Sequence, residues 1–244
     1  MIAKAEAIVL KSFDFRETSR IVTFYTREFG KVKGIMKGIR KDPRKFGSSV
    51  DKFTVNDIVF YQYRNSDIHL ISQCDMKEYY SPIRQDLKRM TAASYILELV
   101  DAILPVEQKN EEIYDLILQY LSSLQTDQDV SKLVHIFQIK TLLYSGFRPH
   151  LDSCVKCTKK VQGQTRFSMK LGGLVCDVCR TSDGDISPIS RGTVASIIHI
   201  EQSEWDQTLR LGLSQVIKKE LKYVLNNFLV FHLEKNLRSA RFVH

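Results

Sequence analysis

The sequence predicts an α+β protein in which an N-terminal β-barrel is followed by an α-helical domain that carries an inserted four-cysteine module. Three observations lead to this fold class. Residues 1–80 contain short apolar and alternating runs that are typical of strands. From residue 81 the apolar residues recur at helical spacing. Two Cys-x-x-Cys pairs then stand 18 residues apart in the second half of the chain.

Five runs within residues 1–80 predict β-strands, because they are rich in Val, Ile, Phe and Tyr and are separated by turn residues. They cover residues 2–10, 20–26, 31–38, 56–63 and 67–74. Five short strands in about 80 residues are the right size for a small closed barrel of the OB type, a fold that often binds single-stranded nucleic acid. An SH3-like barrel would give a similar pattern, and periodicity does not choose between the two.

The apolar period changes at residue 81, and residues 81–150 are predicted to form a helical domain. Three stripes at helical spacing are interpreted as the core of a helical bundle. The stripes are Leu87, Met90, Ala93, Leu97, Val100 and Leu104; Ile113, Leu116, Ile117, Tyr120, Leu121 and Leu124; and Val130, Leu133, Val134, Phe137 and Leu143.

The four cysteines of the predicted module, residues 151–180, are Cys154, Cys157, Cys176 and Cys179. Each Cys-x-x-Cys turn directs two sulfurs at one point, so two turns offer the tetrahedral set of thiolates that Zn²⁺ prefers. Four sulfur ligands leave no open position, and we therefore predict one structural Zn²⁺ rather than a catalytic one. Free or paired thiols are the alternative. Nearby basic residues favour thiolates, namely Lys156, Lys159, Lys160, Arg166 and Lys170.

Other residues around this module have simpler interpretations. His150 could replace one sulfur, although a lone histidine is more often a surface or capping residue. Gly163, Gly172 and Gly173 allow tight turns. The fifth cysteine, Cys74, falls in a strand-like run and is expected to be a buried thiol.

Residues 181–244 are predicted to form C-terminal helices that pack with the helical domain. Pro188 and Ser190 resemble the start of a short helix that reaches Ile200, and Ser214 is a candidate cap for a long final helix. One side of that final helix is apolar, with Val216, Ile217, Leu221, Val224, Leu225, Phe228 and Leu229.

The net charge of +8 is distributed unevenly along the chain. Residues 1–52 carry 13 Lys and Arg against 6 Asp and Glu, whereas residues 81–150 carry 7 against 9. A basic excess in one region favours an anionic partner, most plausibly nucleic acid. A solvated charged face is the alternative.

The most basic stretch extends from Lys31 to Lys45, where only Asp42 opposes the positive charges. A basic strand that leads into a basic loop at a barrel rim can follow a phosphate backbone. The predicted DNA-binding residues are Lys31, Lys33, Lys37, Arg40, Lys41, Arg44 and Lys45. Phe46, Phe53, Tyr61 and Tyr63 are available for base stacking, of which one or two are expected to stack because most aromatics in a small barrel are core.

Motifs of the common enzyme classes are missing from the sequence. It contains no P-loop, no Gly-x-Gly-x-x-Gly, no His-Glu-x-x-His and no Gly-x-Ser-x-Gly. The sequence contains no run of about 18 apolar residues, so no membrane span is expected. The N-terminus lacks the apolar core of a signal peptide. We therefore expect a non-enzymatic protein of the cytoplasm, associated with the nucleoid. A reducing compartment favours metal binding over disulfides.

Several segments carry a resemblance to a known family through their order and spacing. They are residues 7–10, 16–18, 26–31, 37–41, 146–151, 172–176 and 238–242. Together they resemble the bacterial RecO family of recombination mediators over nearly the whole chain. One difference is Thr158, because the family usually has Gly after the second cysteine. This difference would alter the turn slightly and leave the four ligands in place.

The resemblance implies an OB domain at residues 1–80, a helical domain and a zinc module. It also implies binding of single- and double-stranded DNA and annealing of complementary strands. The implied partners are RecR and the acidic C-terminal tail of single-strand DNA-binding protein, so that RecA is loaded at gaps. The family's DNA-binding positions match Lys31, Lys37, Arg40 and Lys41. Lys33, Arg44 and Lys45 are added on charge alone.

Two other functions are compatible with the residues. One is a protein-interaction scaffold with a basic face and a structural zinc. The other is a zinc-dependent nucleic-acid hydrolase, which has less support because the predicted metal site is closed.

Overall fold

The computed structural model describes residues 1–42, 46, 50–106, 108–179 and 186–243. The chain divides into two compact units, Met1–Thr126 and Asp127–His244. Among the described residues, no helix combines the length and the apolar character needed to cross a lipid bilayer.

The first unit begins with a closed five-stranded barrel, as predicted. Its strands are β1 (Ile2–Phe15), β2 (Ser19–Thr26), β3 (Gly30–Met36), β4 (Val55–Tyr61) and β5 (His69–Glu78). The strand order is β1-β2-β3-β5-β4, and β4 pairs back onto β1. Neighbouring strands are antiparallel, except that β3 and β5 pair in parallel over a short stretch. This architecture is of the OB type.

Every second side chain near the start of β1 points into the barrel and fills part of its interior. Ala3 and Ala5 point inward and lie opposite the larger Phe60 and Ile58 of β4. Small residues on one strand thus leave room for large ones on the next. The predicted buried thiol, Cys74, belongs to this core and is fully buried.

The described part of the first unit also contains three α-helices: α1 (Ser81–Arg84), α2 (Leu87–Ile103) and α3 (Glu111–Leu124). The side chains of Asp86 and Asn110 cap α2 and α3 by accepting hydrogen bonds from backbone N–H groups. Leu87 is 71% exposed at the start of α2, so the first predicted stripe does not begin at a core residue. Tyr95 and Ile96, outside that stripe, are buried.

The helical segment covers part of the outer surface of the barrel. The hydroxyl of Tyr25 donates a hydrogen bond to the carbonyl of Asn110 over 3.1 Å. At Gly30 an added Cβ would lie 2.3 Å from the carbonyl oxygen of Gln108. Only glycine permits this approach, which explains why the segment before α3 reaches the strands here.

In its described residues, the second unit combines four α-helices with a small sheet. The helices are α4 (Val130–Tyr144), α5 (Arg191–Gln202), α6 (Trp205–Leu209) and α7 (Gln215–Leu233). The strands β6 (Arg166–Ser168), β7 (Gly173–Val175) and β8 (Ile186–Pro188) form an antiparallel sheet in the order β7-β6-β8. Ser190 and Ser214 cap α5 and α7, as the sequence predicts. The sheet and α6 were not predicted.

Candidate metal centre and basic rim

Four cysteines come together in the second unit. The sulfur atoms of Cys154, Cys157, Cys176 and Cys179 all lie within 4.8 Å of one another. The Sγ atoms of Cys157 and Cys176 are 3.7 Å apart. This group can hold a metal ion, because four sulfurs at such distances can converge on one centre.

Two turns position the sulfurs. In the first pair, the N–H of Thr158 donates to the carbonyl of Cys154 over 2.8 Å. In the second pair, a 3₁₀ turn over Asp177–Cys179 places the N–H of Cys179 3.1 Å from the carbonyl of Cys176. The two turns are joined by a hydrogen bond of 2.8 Å from the N–H of Val155 to the carbonyl of Leu174.

The chain before the first pair lies against β7. The N–H of His150 donates to the carbonyl of Gly172, and the N–H of Leu174 donates to the carbonyl of His150. A Cβ on Gly173 would lie 2.4 Å from the His150 carbonyl oxygen, so glycine is required for this close approach. The imidazole of His150 is not part of the cysteine group. Its Nε2 atom lies 2.8 Å from the hydroxyl of Ser153.

The thiols differ in acidity because they share hydrogen bonds. Burial acts to raise the pKa of Cys154, but backbone N–H donors from Cys176, Cys157 and Lys156 outweigh it and lower the pKa to about 6. Hydrogen bonds with Cys157 and Cys176 raise the pKa of Cys179 to about 12. Four thiolates this close repel one another, and a bound cation would remove that repulsion.

Thr158 follows the second cysteine with a φ of 60°. This left-handed region is unfavourable for a β-branched residue. The hydroxyl of Thr158 donates to the carbonyl of Cys157 over 2.7 Å, which offsets part of the cost. The first Cys-x-x-Cys turn therefore has its left-handed conformation at Thr158, although a β-branched residue is strained in that conformation.

A second candidate site lies where β3 ends. We call the exposed Lys37, Arg40 and Lys41, together with the turn at residues 16–18, the basic rim. The buried side chain of Ile39 fixes the loop to the barrel core. The N–H of Arg40 donates to the carbonyl of Thr18 over 3.0 Å, which joins the loop to the turn between β1 and β2.

Two contacts, one at a terminal nitrogen and one at Nε, fix the position of the Arg40 guanidinium. One terminal nitrogen donates to the carbonyl of Arg16 over 3.2 Å, and Nε lies 3.5 Å from a carboxylate oxygen of Asp14. Asp14 also accepts a hydrogen bond from Arg20. The side chain of Arg40 remains partly open to solvent, so its charge faces outward from a fixed position.

Lys31 and Lys33 lie on β3, before the rim. Lys31 is only 8% exposed, and its ammonium donates to the carbonyl of Asp101 over 2.8 Å. Burial lowers the pKa of Lys31, while Asp101 acts to raise it. Because this ammonium is bound within the first unit, we do not include Lys31 in the proposed DNA surface. Lys33 is half-buried. Arg44 and Lys45 lie outside the described residues.

The aromatic candidates divide into two groups. Phe46 and Phe53 are buried, whereas Tyr61 and Tyr63 are exposed. Phe13, which the sequence analysis did not name, is 51% exposed near the end of β1. The local sequence pattern does not distinguish Phe13 from the core residues of β1.

The chain matches two models of one protein family. Residues 1–80 match the model described as Recombination protein O N terminal, and residues 84–241 match Recombination protein O C terminal. The DNA repair protein RecO of Moorella thermoacetica is 32% identical over 243 residues, covering 99% of this chain and 90% of the relative. The DNA repair protein RecO of Caldicellulosiruptor saccharolyticus is 31% identical, covering 98% of this chain and 96% of the relative.

Proposed function

Because the chain belongs to the recombination protein O (RecO) family of DNA repair proteins, we propose that it is a recombination mediator that binds DNA through the basic rim. In this proposal, Lys37, Arg40 and Lys41 neutralise phosphates of single- and double-stranded DNA, with Lys33 beside them. The protein carries out no catalytic reaction of its own and is expected in the cytoplasm.

The observation that carries the proposal is the fixed arrangement of charges on the rim. The loop is held by the buried Ile39 and by the hydrogen bonds of Arg40 to the neighbouring turn. Charges held in place lose less entropy when they bind phosphates than charges on a free loop. Phosphate contacts release counterions, so the affinity is expected to fall steeply with salt.

Annealing follows from the same surface. Two complementary strands repel each other through their phosphates, and a protein that neutralises both lets them come close enough to pair without ATP. The resemblance to RecO mediators adds the proposed partners. They are RecR, the acidic C-terminal tail of single-strand DNA-binding protein and, indirectly, RecA.

We further propose that Cys154, Cys157, Cys176 and Cys179 bind one Zn²⁺. Thiolates are soft ligands, and a set of four favours zinc over harder divalent ions. Such a site supplies folding free energy rather than chemistry, because no position is left for water or substrate. Its proposed role is to hold the turns around β7 together.

The proposal is tested by annealing two labelled complementary oligonucleotides, without nucleotide, across a salt series. We expect acceleration at low salt that is lost as salt rises, and a strong loss of acceleration in a Lys37→Ala/Lys41→Ala variant. The matched control is Lys88→Ala/Lys219→Ala, which removes two exposed lysines on α2 and α7. DNA binding without annealing would favour an interaction scaffold, and shortened strands would indicate a hydrolase.

A further inference from the structure

A row of apolar residues crosses the outer surface of the barrel next to the basic rim. Phe13 of β1 is paired with Ile21 of β2, and Ile21 is paired with Ile35 of β3. Residues paired across neighbouring strands point to the same face. Val22 and Phe24 point into the barrel interior. Ile21 alternates with them along β2 and therefore faces outward, as do the residues paired with it.

The helical segment covers a different part of this outer face. Tyr25, four residues beyond Ile21 on β2, also faces outward, and its hydroxyl is bonded to Asn110. Lys11, two residues before Phe13, is bonded to Asp101 of α2 over 2.6 Å. Phe13 lies past these contacts, at the end of the strand. Its ring is therefore exposed on one side while Ile21 beside it is buried.

Positive charges lie near Phe13, but only some of them share its face. Its neighbour Asp14 holds Arg40 and Arg20 at the end of β1, on the opposite face, because successive side chains of a strand alternate. Lys33 stands two residues before Ile35 on the same outward face of β3. Lys33 therefore shares the face of the ring, and the two arginines lie around the end of the strand. Proteins bind single strands with a ring that stacks on a base and nearby cations that meet the phosphates.

We propose that Phe13 is a stacking platform for a nucleobase of single-stranded DNA whose phosphates lie on the basic rim. This inference rests on the proposed function, because it needs DNA at that rim. It adds a basis for discrimination between DNA forms. The bases of a duplex are already stacked on each other, so Phe13 favours single strands, whereas the cations alone serve both forms.

The test compares Phe13→Ala with Phe13→Trp on a fluorescently labelled oligo(dT) and on a blunt duplex of equal length. Losing one stacked base is expected to weaken oligo(dT) binding by about tenfold in Phe13→Ala. Duplex binding and the salt slope should stay at the wild-type values. Phe13→Trp keeps a ring and should retain oligo(dT) binding. The control is Tyr223→Ala, which removes an exposed aromatic residue of α7.

The outcomes separate this inference from the proposed function. If the wild-type protein binds neither DNA, the proposed function fails. If it binds both and Phe13→Ala binds oligo(dT) equally well, the stacking platform is wrong and the proposed function stands. An equal loss on single strand and duplex also overturns the inference, because it would indicate a structural role.

Ultraviolet cross-linking gives a second measurement that needs no variant. Cleavage with trypsin after Lys11 and Arg16 releases residues 12–16 as one peptide. We expect an adduct between oligo(dT) and this peptide, with fragmentation placing the thymine on Phe13 rather than on Phe15. An adduct confined to Phe15 or to other peptides would contradict the proposal.

Discussion

The guanidinium of Arg40 donates a hydrogen bond to the backbone carbonyl of Arg16, 3.2 Å away. The two residues belong to different loops of the barrel, one after β3 and one between β1 and β2. Their contact joins the two loops into one rim, so the positively charged side chains of both loops lie close together.

Arg40→Ala should weaken DNA binding to the same degree for all sequences. The substitution removes one proposed phosphate contact and the side-chain bond between the two loops, while the backbone bond from Arg40 to Thr18 remains. For a single strand the salt slope should decrease by about 0.7. Binding of labelled oligonucleotides at several salt concentrations measures this. Arg40→Lys is the control, since it keeps the charge and should keep the slope. A wild-type slope in Arg40→Ala would mean that Arg40 makes no phosphate contact.

Lys31→Met should reduce stability without changing the salt slope. The ammonium of Lys31 is nearly buried and bonded to the Asp101 carbonyl, so its loss is expected to cost about 1 to 2 kcal/mol of unfolding free energy. Urea denaturation measures this cost. Lys33→Met serves as the comparison on the same strand, with a smaller effect on stability. A reduced salt slope in Lys31→Met would instead place Lys31 at the DNA.

Cys176→Ser should lower both the zinc content and the melting temperature. Wild-type protein purified without chelator is expected to contain about one zinc per chain by elemental analysis. Cys74→Ser alters a thiol in the barrel core and should keep the metal. Wild-type protein free of zinc, or a Cys176→Ser variant with normal metal content and melting temperature, would contradict the proposed zinc site.

Thr158→Gly should stabilise the protein. The φ of 60° costs a β-branched residue about 1 to 2 kcal/mol, and glycine adopts this region freely. Part of the gain is offset by the greater freedom of glycine in the unfolded chain. We expect a melting temperature higher by about 2 °C. Thr158→Ala keeps a Cβ and should give no increase. If both variants melt below wild type, the hydroxyl contact outweighs the strain.

Stability should fall as the pH decreases below about 6.5. Burial lowers the pKa of His232, whose ring packs against Phe228 with centroids 4.2 Å apart. Above pH 6.5 the histidine is neutral in both states. Below it the unfolded chain takes up a proton that the folded protein resists, so unfolding is favoured until the folded pKa is reached.

His232→Phe should flatten this decrease, because the substitution removes the titrating group and a buried Nε2 atom without a hydrogen-bond partner. Urea denaturation between pH 5 and 8 measures the effect. His199→Phe, at an exposed histidine on α5, is the control and should leave the pH dependence unchanged. Identical profiles for wild type and His232→Phe would mean that other groups cause the acid sensitivity.

The sequence predicted the parts of the fold that depend on local pattern. The five strands follow from short apolar and alternating runs bounded by turn residues, and the caps Ser190 and Ser214 follow from their hydrogen-bonding side chains. The four cysteines follow from spacing. These signals need only nearby residues, which is why they can be interpreted without a structure.

What was not predicted depends on distant residues. Lys31 and Lys33 have the same place in the pattern of β3, yet only Lys31 meets Asp101, 70 residues further along the chain. The strands of the small sheet have three residues each, too few to show a period. Phe13 could not be told from a core residue, because its exposure depends on where the helical segment stops.

The most direct test of the basic rim is the slope of log K against log salt for a labelled oligo(dT), measured with wild type and with Lys37→Ala/Lys41→Ala. Two lost phosphate contacts on a single strand predict a slope smaller by about 1.4, with the largest loss of affinity at low salt. The control Lys88→Ala/Lys219→Ala should keep the wild-type slope. An unchanged slope in Lys37→Ala/Lys41→Ala would contradict the account and place the DNA elsewhere on the protein.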